Sequence, residues 1–222
     1  MKIFVLSLKT KIGEERRNKL NYNYEIIWGT DKLEDVPEEI TKKMKLNPST
    51  KDKIKLLKQK SCHFFSYCRI LEKIVNEKLH DVIICEDDAI LKDEKLLNNL
   101  IEKKFNKPVI LNAKLHHPTN YSKDRLLDLN LIKFKEGINE INFKEFRWSC
   151  SACIYYPNPE SAEEILKFIK KSIKLTYFDL HLSKNKIIKN LYYPSIFFIK
   201  DDGISQITNS KGNIDNYGLN QM

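Results

Sequence analysis

Asp81-Val82-Ile83-Ile84-Cys85-Glu86-Asp87-Asp88-Ala89 is the stretch on which the reading of this chain turns. Val82 to Cys85 is a continuous apolar run of strand length, the kind found in a parallel sheet covered on both faces. It ends abruptly in three adjacent carboxylates, which repel one another unless each faces water or a cation neutralises them. In open α/β sheets ligands bind outside the carboxyl ends of the strands. Hard ions such as Mg²⁺ and Mn²⁺ prefer carboxylate oxygens. A metal site is therefore one reading of Glu86, Asp87 and Asp88; the other is an acidic turn capping the helix that follows.

Upstream, Phe64, Phe65, Tyr67, Cys68, Ile70, Leu71, Ile74 and Val75 recur at helical spacing and predict an amphipathic helix over about 61–78. Residues 2–8 and 24–28 read as strands, the first followed by a loop and a helix, the second ending in the turn Gly29-Thr30-Asp31. Between them and the long helix, 36–60 is charged and broken by Pro37 and Pro48, predicting short helices and a loop. Downstream the pattern predicts a helix over 95–104, a buried strand over 108–112, loops and edge strands over 113–145, one strand over 148–156 and a helix over 160–171. A late strand, 195–199, runs into Lys200-Asp201-Asp202-Gly203. Alternating strands and helices predict α/β layers around a mostly parallel sheet. The 222 residues fit one domain, with a loose tail over 209–222.

The formal charge of +9 and pI near 9.1 suggest an anionic partner: nucleic acid, a membrane surface or a phosphorylated small molecule. Lysines are dense only over 42–60, where a solvated face is the plainer reading. The short, lysine-interrupted amino terminus reads as neither signal peptide nor membrane span, so a cytoplasmic location is expected, with peripheral membrane contact allowed by the charge. Five cysteines predict reduced thiols. No Walker loop, Gly-x-Gly-x-x-Gly or nucleophile elbow is present.

Val82 to Ala89 resembles the acidic strand-end motif of glycosyltransferase family 25, which includes bacterial lipooligosaccharide and collagen galactosyltransferases. Ser66, Ile70, Leu71 and Ile74 resemble the helix ahead of that motif. Ile3, Leu6, Ser7, Leu8, Arg16 and Arg17 resemble the first strand and the arginine-bearing segment after it. Ala152, Tyr155, Ala162, Asp179 and Ser205 resemble later positions. The resemblance implies a GT-A fold, a UDP-sugar donor, Mn²⁺ or Mg²⁺, and transfer of a hexose, galactose or glucose, with inversion to a glycan, glycolipid or glycoprotein acceptor. By it Glu86 and Asp88 bridge ion and diphosphate, with Asp87 between them; Leu6, Ser7, Leu8 and Ser66 line the donor pocket; and the domain divides into a nucleotide-sugar-binding half over 1–112 and an acceptor half over 113–208. The chain departs from the family at Tyr67, where histidine is expected, and lacks the glycines ahead of it. A catalytically degenerate member acting as a binding module is thus a second expectation, and a nucleic-acid binder, resting on charge alone, a third.

Inversion needs a base for the acceptor hydroxyl, and a carboxylate is the usual candidate; Asp179 is the first choice and Asp202 the second. Arg16 and Arg17 suit donor phosphates, guanidinium matching phosphate oxygens well, or else lie on a helix surface. Thr10 and Trp28 are candidates for the wall of the nucleotide pocket, with turn chemistry the alternative. His181, and His116-His117, are candidates for a further metal or phosphate contact. Cys150 and Cys153 have redox spacing but lie in an apparent strand, and Cys62, His63 and Cys68 read as core or face residues.

Overall fold

The computed structural model describes residues 1–46, 52–112, 114–116, 134–149, 153–199, 204–205 and 210–211. The chain opens with β1 (Lys2–Ser7), α1 (Lys11–Arg17) and β2 (Glu25–Trp28), followed by a short 3₁₀ turn, α2 (Glu38–Lys43) and the long α3 (Lys53–Asn76). After it come β3 (Val82–Glu86), β4 (Ala89–Leu91), α4 (Glu94–Glu102), β5 (Val109–Ile110), β6 (Lys114–His116), β7 (Gly137–Glu140) and β8 (Arg147–Ser149). The described part closes with β9 (Cys153–Tyr156), α5 (Pro159–Lys171), α6 (Phe178–Lys184), β10 (Asn190–Tyr193), β11 (Phe197–Ile199), β12 (Ile204–Ser205) and β13 (Ser210–Lys211).

Seven strands form the central sheet in the order β2-β1-β3-β9-β5-β10-β7. β1 lies parallel between β2 and β3, and β5 pairs parallel with β10. β9 runs antiparallel to both β3 and β5, and β7 antiparallel to β10. Five strands thus point one way and two the other, a mostly parallel α/β sheet as expected. Because β9 sits between β3 and β5, the two halves that the resemblance implies share a single sheet.

Strand parity explains the full burial of β1 and β3. Phe4, Leu6, Val82 and Ile84 face one core with α3, α5 and α6, while Ile3, Val5, Ile83 and Cys85 face a second core with α4. With side chains alternating along a strand, Glu86 continues the row of Val82 and Ile84 and is directed to the α3 side.

Several elements depart from the sequence expectation or add to it. α3 begins at Lys53, not near 61, because Asp52 caps it by accepting from the Lys55 amide at 2.8 Å; its first two turns alternate Lys53, Lys55, Lys58 and Lys60 with Ile54, Leu56 and Leu57, so the charge masks the short apolar stripe that seats Leu57 on the core. The single strand expected over 148–156 is two strands in different sheets, β8 pairing with β6 and β9 entering the main sheet. Asn158 caps α5, accepting from the Ser161 amide at 2.9 Å. β11 pairs with β4, outside the main sheet. Within the segment read as a loose tail, Ser210–Lys211 pairs antiparallel with β12.

Among the described residues no helix is long and apolar enough to cross a membrane.

Candidate active site

The register of β1 aligns Ser7 with Trp28 of β2 and Leu6 with Glu86 of β3, so three parallel strands end along one carboxyl edge. The turn Glu86-Asp87-Asp88 leaves that edge and returns as β4. Each acid meets a different environment.

Asp87 is enclosed. Its side chain is 3% exposed, accepts a short hydrogen bond from the Ser7 hydroxyl and lies 3.4 Å from Arg16 Nη1. Arg16 reaches Asp88 as well, at 3.7 Å, and its own side chain is only 11% exposed. One buried guanidinium therefore holds two of the three carboxylates, relieving the repulsion that the sequence implies. Arg17, next along α1, donates to the Leu8 carbonyl at 3.0 Å and lies over the Trp28 indole at 4.9 Å, with Lys9 over the same ring at 5.3 Å. Trp28 keeps 38% of its surface exposed, an aromatic face flanked by two cations at the sheet edge.

Glu86 turns toward α3, as its strand parity requires. Its Oε1 accepts from Tyr67 OH at 3.0 Å and lies 3.0 Å from His63 Nε2. His63 and Tyr67 stand one helical turn apart and so share a face. Burial opposes ionisation of both His63 and Glu86, but their mutual hydrogen bond outweighs it: the histidine is raised above its ordinary value and the glutamate held below its own. The charge of Asp179 adds to the effect on His63. Burial and then Glu86 push the Tyr67 phenol well up, so it stays a neutral donor. Tyr67 is fixed from behind by Phe178, stacked at 4.3 Å and 9°.

Asp179 sits half-buried in the first turn of α6, beside Tyr177, whose ring meets the His63 edge at 6.0 Å. Its charge acts on His63, Tyr67 and Tyr177, which places it on the Glu86 side. Asp202 and His117 lie outside the described residues, and of His116 and Ser205 only the backbone is described, in β6 and β12.

Several sequence candidates are structural in their contacts. Thr10 caps α1, its hydroxyl accepting from the Gly13 amide at 3.0 Å, the turn chemistry given as its alternative. Ser66 accepts from the Thr30 amide at 2.9 Å and donates to the Cys62 carbonyl at 2.7 Å, pinning the β2 turn to α3. A Cβ on Gly29 would stand 3.3 Å from that hydroxyl and 3.1 Å from Leu6 and Leu8, tighter than ordinary contact, so the turn packs closely on those side chains. Leu6 and Leu8 are buried under the same turn. His181 lies apart from the acids: its Nε2 is 3.1 Å from Ser172 Oγ and its ring packs between Phe64 and Phe168. Burial lowers it to about 4. The structure does not bring this histidine to the turn, and its neutral ring is accounted for by the apolar packing.

His63 is the functional candidate that the sequence reading missed, having been grouped with Cys62 and Cys68. Those two thiols are buried and pushed up to about 11 and about 12 by burial, whereas the His63 ring reaches Glu86. The readable signal was the spacing of His63 and Tyr67 combined with the parity of β3. Cys153 faces Cys85 across the β3–β9 pairing, Sγ to Sγ 3.1 Å, both free thiols; Cys150 lies outside the described residues.

An α/β sheet carrying an acidic turn and an arginine pair on its carboxyl edge defines, with the sequence comparison, a glycosyltransferase. The chain belongs to glycosyltransferase family 25: the family model, described as LPS biosynthesis protein, matches residues 1–182, from β1 into α6. Such enzymes take, in general, a nucleotide-sugar donor and a glycan acceptor. A solved structure to which the chain is similar is that of a glycosyltransferase involved in the glycosylation of the major capsid of PBCV-1, at 9% identity over 87% of this chain and 94% of that chain, with a TM-score of 0.32. No curated protein gives a significant match.

Proposed function

We propose that the protein is an inverting, metal-assisted glycosyltransferase of GT-A architecture that moves a hexose, galactose or glucose, from a UDP-sugar to a glycan, glycolipid or glycoprotein. The observation that carries this reading is the Glu86-Asp87-Asp88 turn at the edge shared by β1, β2 and β3, with Arg16 and Arg17 beside it.

The donor set suits a hard divalent ion. Asp87 is enclosed by Ser7 and Arg16; Asp88, which Arg16 also reaches, and Glu86 are the carboxylates assigned here to the ion. Among the described residues no three His, Cys, Asp or Glu side chains form a metal cage. Mg²⁺ commonly relies on one or two carboxylates and the substrate's phosphates. Bound there, Mn²⁺ or Mg²⁺ supplies Lewis-acid neutralisation of the leaving diphosphate.

The chain's own side chains do the rest. His63 and Tyr67 hold Glu86 ionised and oriented, as second-layer partners of a metal ligand do. Arg17 and the exposed Trp28 face offer a cation and a stacking surface to the nucleotide. Asp179, on the Glu86 side, takes the proton of the acceptor hydroxyl; Asp202 is the alternative base. Tyr67 does not leave the site without a histidine, since His63 reaches the same glutamate oxygen from one turn earlier.

A thermal-shift screen of nucleotide sugars with and without Mn²⁺ tests the reading. Ligand at a hundred times its Kd stabilises a protein by about 2.7 kcal/mol, so a UDP-sugar with Mn²⁺ raises the melting temperature while either alone does less. If no uridine nucleotide shifts the protein at about millimolar concentration, where even weak donor binding registers, the donor assignment is wrong. Binding without turnover moves the protein to the degenerate-module reading.

A further inference from the structure

From Ile165 to Phe178 the chain holds four lysines and no carboxylate. Lys167 is paired with Glu163 at 2.8 Å, but Lys170, Lys171 and Lys174 are exposed, and their ammonium groups meet no partner among the described residues. The last turn of α5 accounts for Lys170 and Lys171, since cations suit a helix C-terminus. It does not account for Ile173, which lies beyond the Ser172 cap and, at 84% exposed, is the most exposed large apolar side chain among the described residues. Backbone pairing fixes this segment. Leu175 is buried, its amide donates to the Lys43 carbonyl at 2.8 Å, and its carbonyl accepts from the Lys45 amide at 2.7 Å. Lys43 Nζ in turn donates to the Lys170 carbonyl at 3.2 Å, so the end of α2 brings further cations to the same surface. Lys171, Ile173 and Lys174 line, with Phe168 and Asn185, a hollow of about 460 Å³.

We propose that this surface docks the protein on an anionic lipid bilayer, with Ile173 entering the headgroup region and Lys170, Lys171 and Lys174 meeting lipid phosphates around it. The inference goes beyond the glycosyltransferase reading and stands without it. Lysines alone suit any anion, nucleic acid included. An isoleucine held outward among them selects the bilayer, because its burial is gained only where apolar chains lie beneath phosphates. Lysine stems lie along such a boundary while their ammonium groups stay with the phosphates. The hollow beside Lys171, Lys174 and Asn185 offers room for a headgroup. An apolar anchor plus a basic patch is the pair of signals by which a protein lies on a membrane without crossing it, and no helix among the described residues is built to cross one. The segment runs on through Leu175 to Tyr177, whose ring meets His63, so docking brings the candidate site near the bilayer.

Cosedimentation of the full chain with vesicles of phosphatidylcholine and phosphatidylglycerol in a two-to-one ratio, against phosphatidylcholine alone, tests the docking. The chain binds the anionic vesicles at least tenfold more tightly, and the preference shrinks as salt rises. K170Q/K171Q/K174Q weakens that binding by roughly a hundredfold, about fivefold per lysine. K95Q/K104Q/K107Q removes the same charge from α4 and the loop after it, which pack on the second core, and changes binding by less than about twofold, since charges beyond a Debye length are screened. I173S weakens binding by roughly fivefold or more, the value of an apolar side chain only partly buried, while I173L keeps it. Equal binding to both vesicles, equal losses in the two lysine triples, or full binding in I173S overturns the proposal. So does a duplex oligonucleotide that binds more tightly than the vesicles and is indifferent to I173S, which would give the patch to nucleic acid. Vesicle binding is read without nucleotide or metal, so its failure and a failure of the donor assignment are separate results. All the substituted side chains are exposed, and melting temperatures close to the parent's show that each variant is folded.

Discussion

Two histidines pack into the same layer of helices and end in opposite states. His63 on α3 is 20% exposed and touches Glu86; His181 on α6 is 4% exposed and touches Ser172 between two phenylalanine rings. Burial disfavours the charged ring in both. Only His63 has a carboxylate within hydrogen-bond distance, with a second in Asp179 to reinforce it, so His63 is raised and His181 falls to about 4. The difference separates a polar edge that can do chemistry from a neighbouring core that holds it in place.

The largest break in that contrast comes from Asp88. Lewis-acid stabilisation of a leaving group is worth several kcal/mol, and each 1.4 kcal/mol is tenfold in rate. Asp88→Ala therefore lowers transfer by roughly a hundredfold or more, with a nearly unchanged melting temperature. Steady-state kinetics beside a thermal melt checks this. Full activity in the variant would remove the turn from the mechanism.

His181→Ala does the reverse. Truncating a buried ring between Phe64 and Phe168 costs about 2–4 kcal/mol by the cost of large-to-small core changes, while the folded fraction keeps its specific activity. Denaturant titration measures the first and activity per folded molecule the second.

The two histidines also oppose one another in pH. His181, lowered to about 4, is neutral in the folded state while the unfolded chain protonates it near the ordinary value of 6.5. Its contribution is complete above that value and is lost as pH falls toward 4, by up to about 3 kcal/mol. His63 is raised, so its contribution is complete below the ordinary value and is lost as pH climbs through the folded one. Melting curves across pH 4–9 show the acid loss shrinking in His181→Leu and the alkaline loss shrinking in His63→Phe. Identical limbs in parent and variants would refute the assignment.

His63→Ala sits lower on the scale. Removing an outer partner of a metal ligand typically costs 10–100-fold in metal affinity or activity. The loss should appear as weaker Mn²⁺ dependence, read from activity against metal concentration, since Tyr67 still holds Glu86.

The sequence exposed the strand, the acidic turn and the sheet class because each is local: an apolar run of fixed length, three adjacent charges, alternating periods. It concealed whatever depends on two elements meeting. The antiparallel entry of β9 between β3 and β5 leaves no mark on the residues of β9, which read as apolar in either direction. The first turns of α3 are specified by the Asp52 cap and by packing, their short apolar stripe masked by lysines. His63 was missed, and His181 named for the metal, because a histidine's type carries no information about whether a carboxylate or a phenylalanine will lie opposite it. Ser66 and Thr10, expected to line the donor pocket, are spent on backbone amides instead.

Ser66 provides the smallest test. If its hydroxyl serves only to join the Thr30 amide to α3, Ser66→Ala leaves one buried N–H without its partner, at a cost of about 1–2 kcal/mol, and a melting temperature lower by roughly 2–8 °C for a chain of this size. The donor KM then stays within about twofold, because a group that never meets the donor contributes nothing to its uniform binding. Gly29 lies at the same junction: with 3.1 Å to Leu6 and Leu8, a methyl there asks those side-chain ends to shift by a few tenths of an ångström. A large rise in donor KM in Ser66→Ala, with stability unchanged, would return Ser66 to the donor pocket and extend the polar edge one element further than the hydrogen bonds place it.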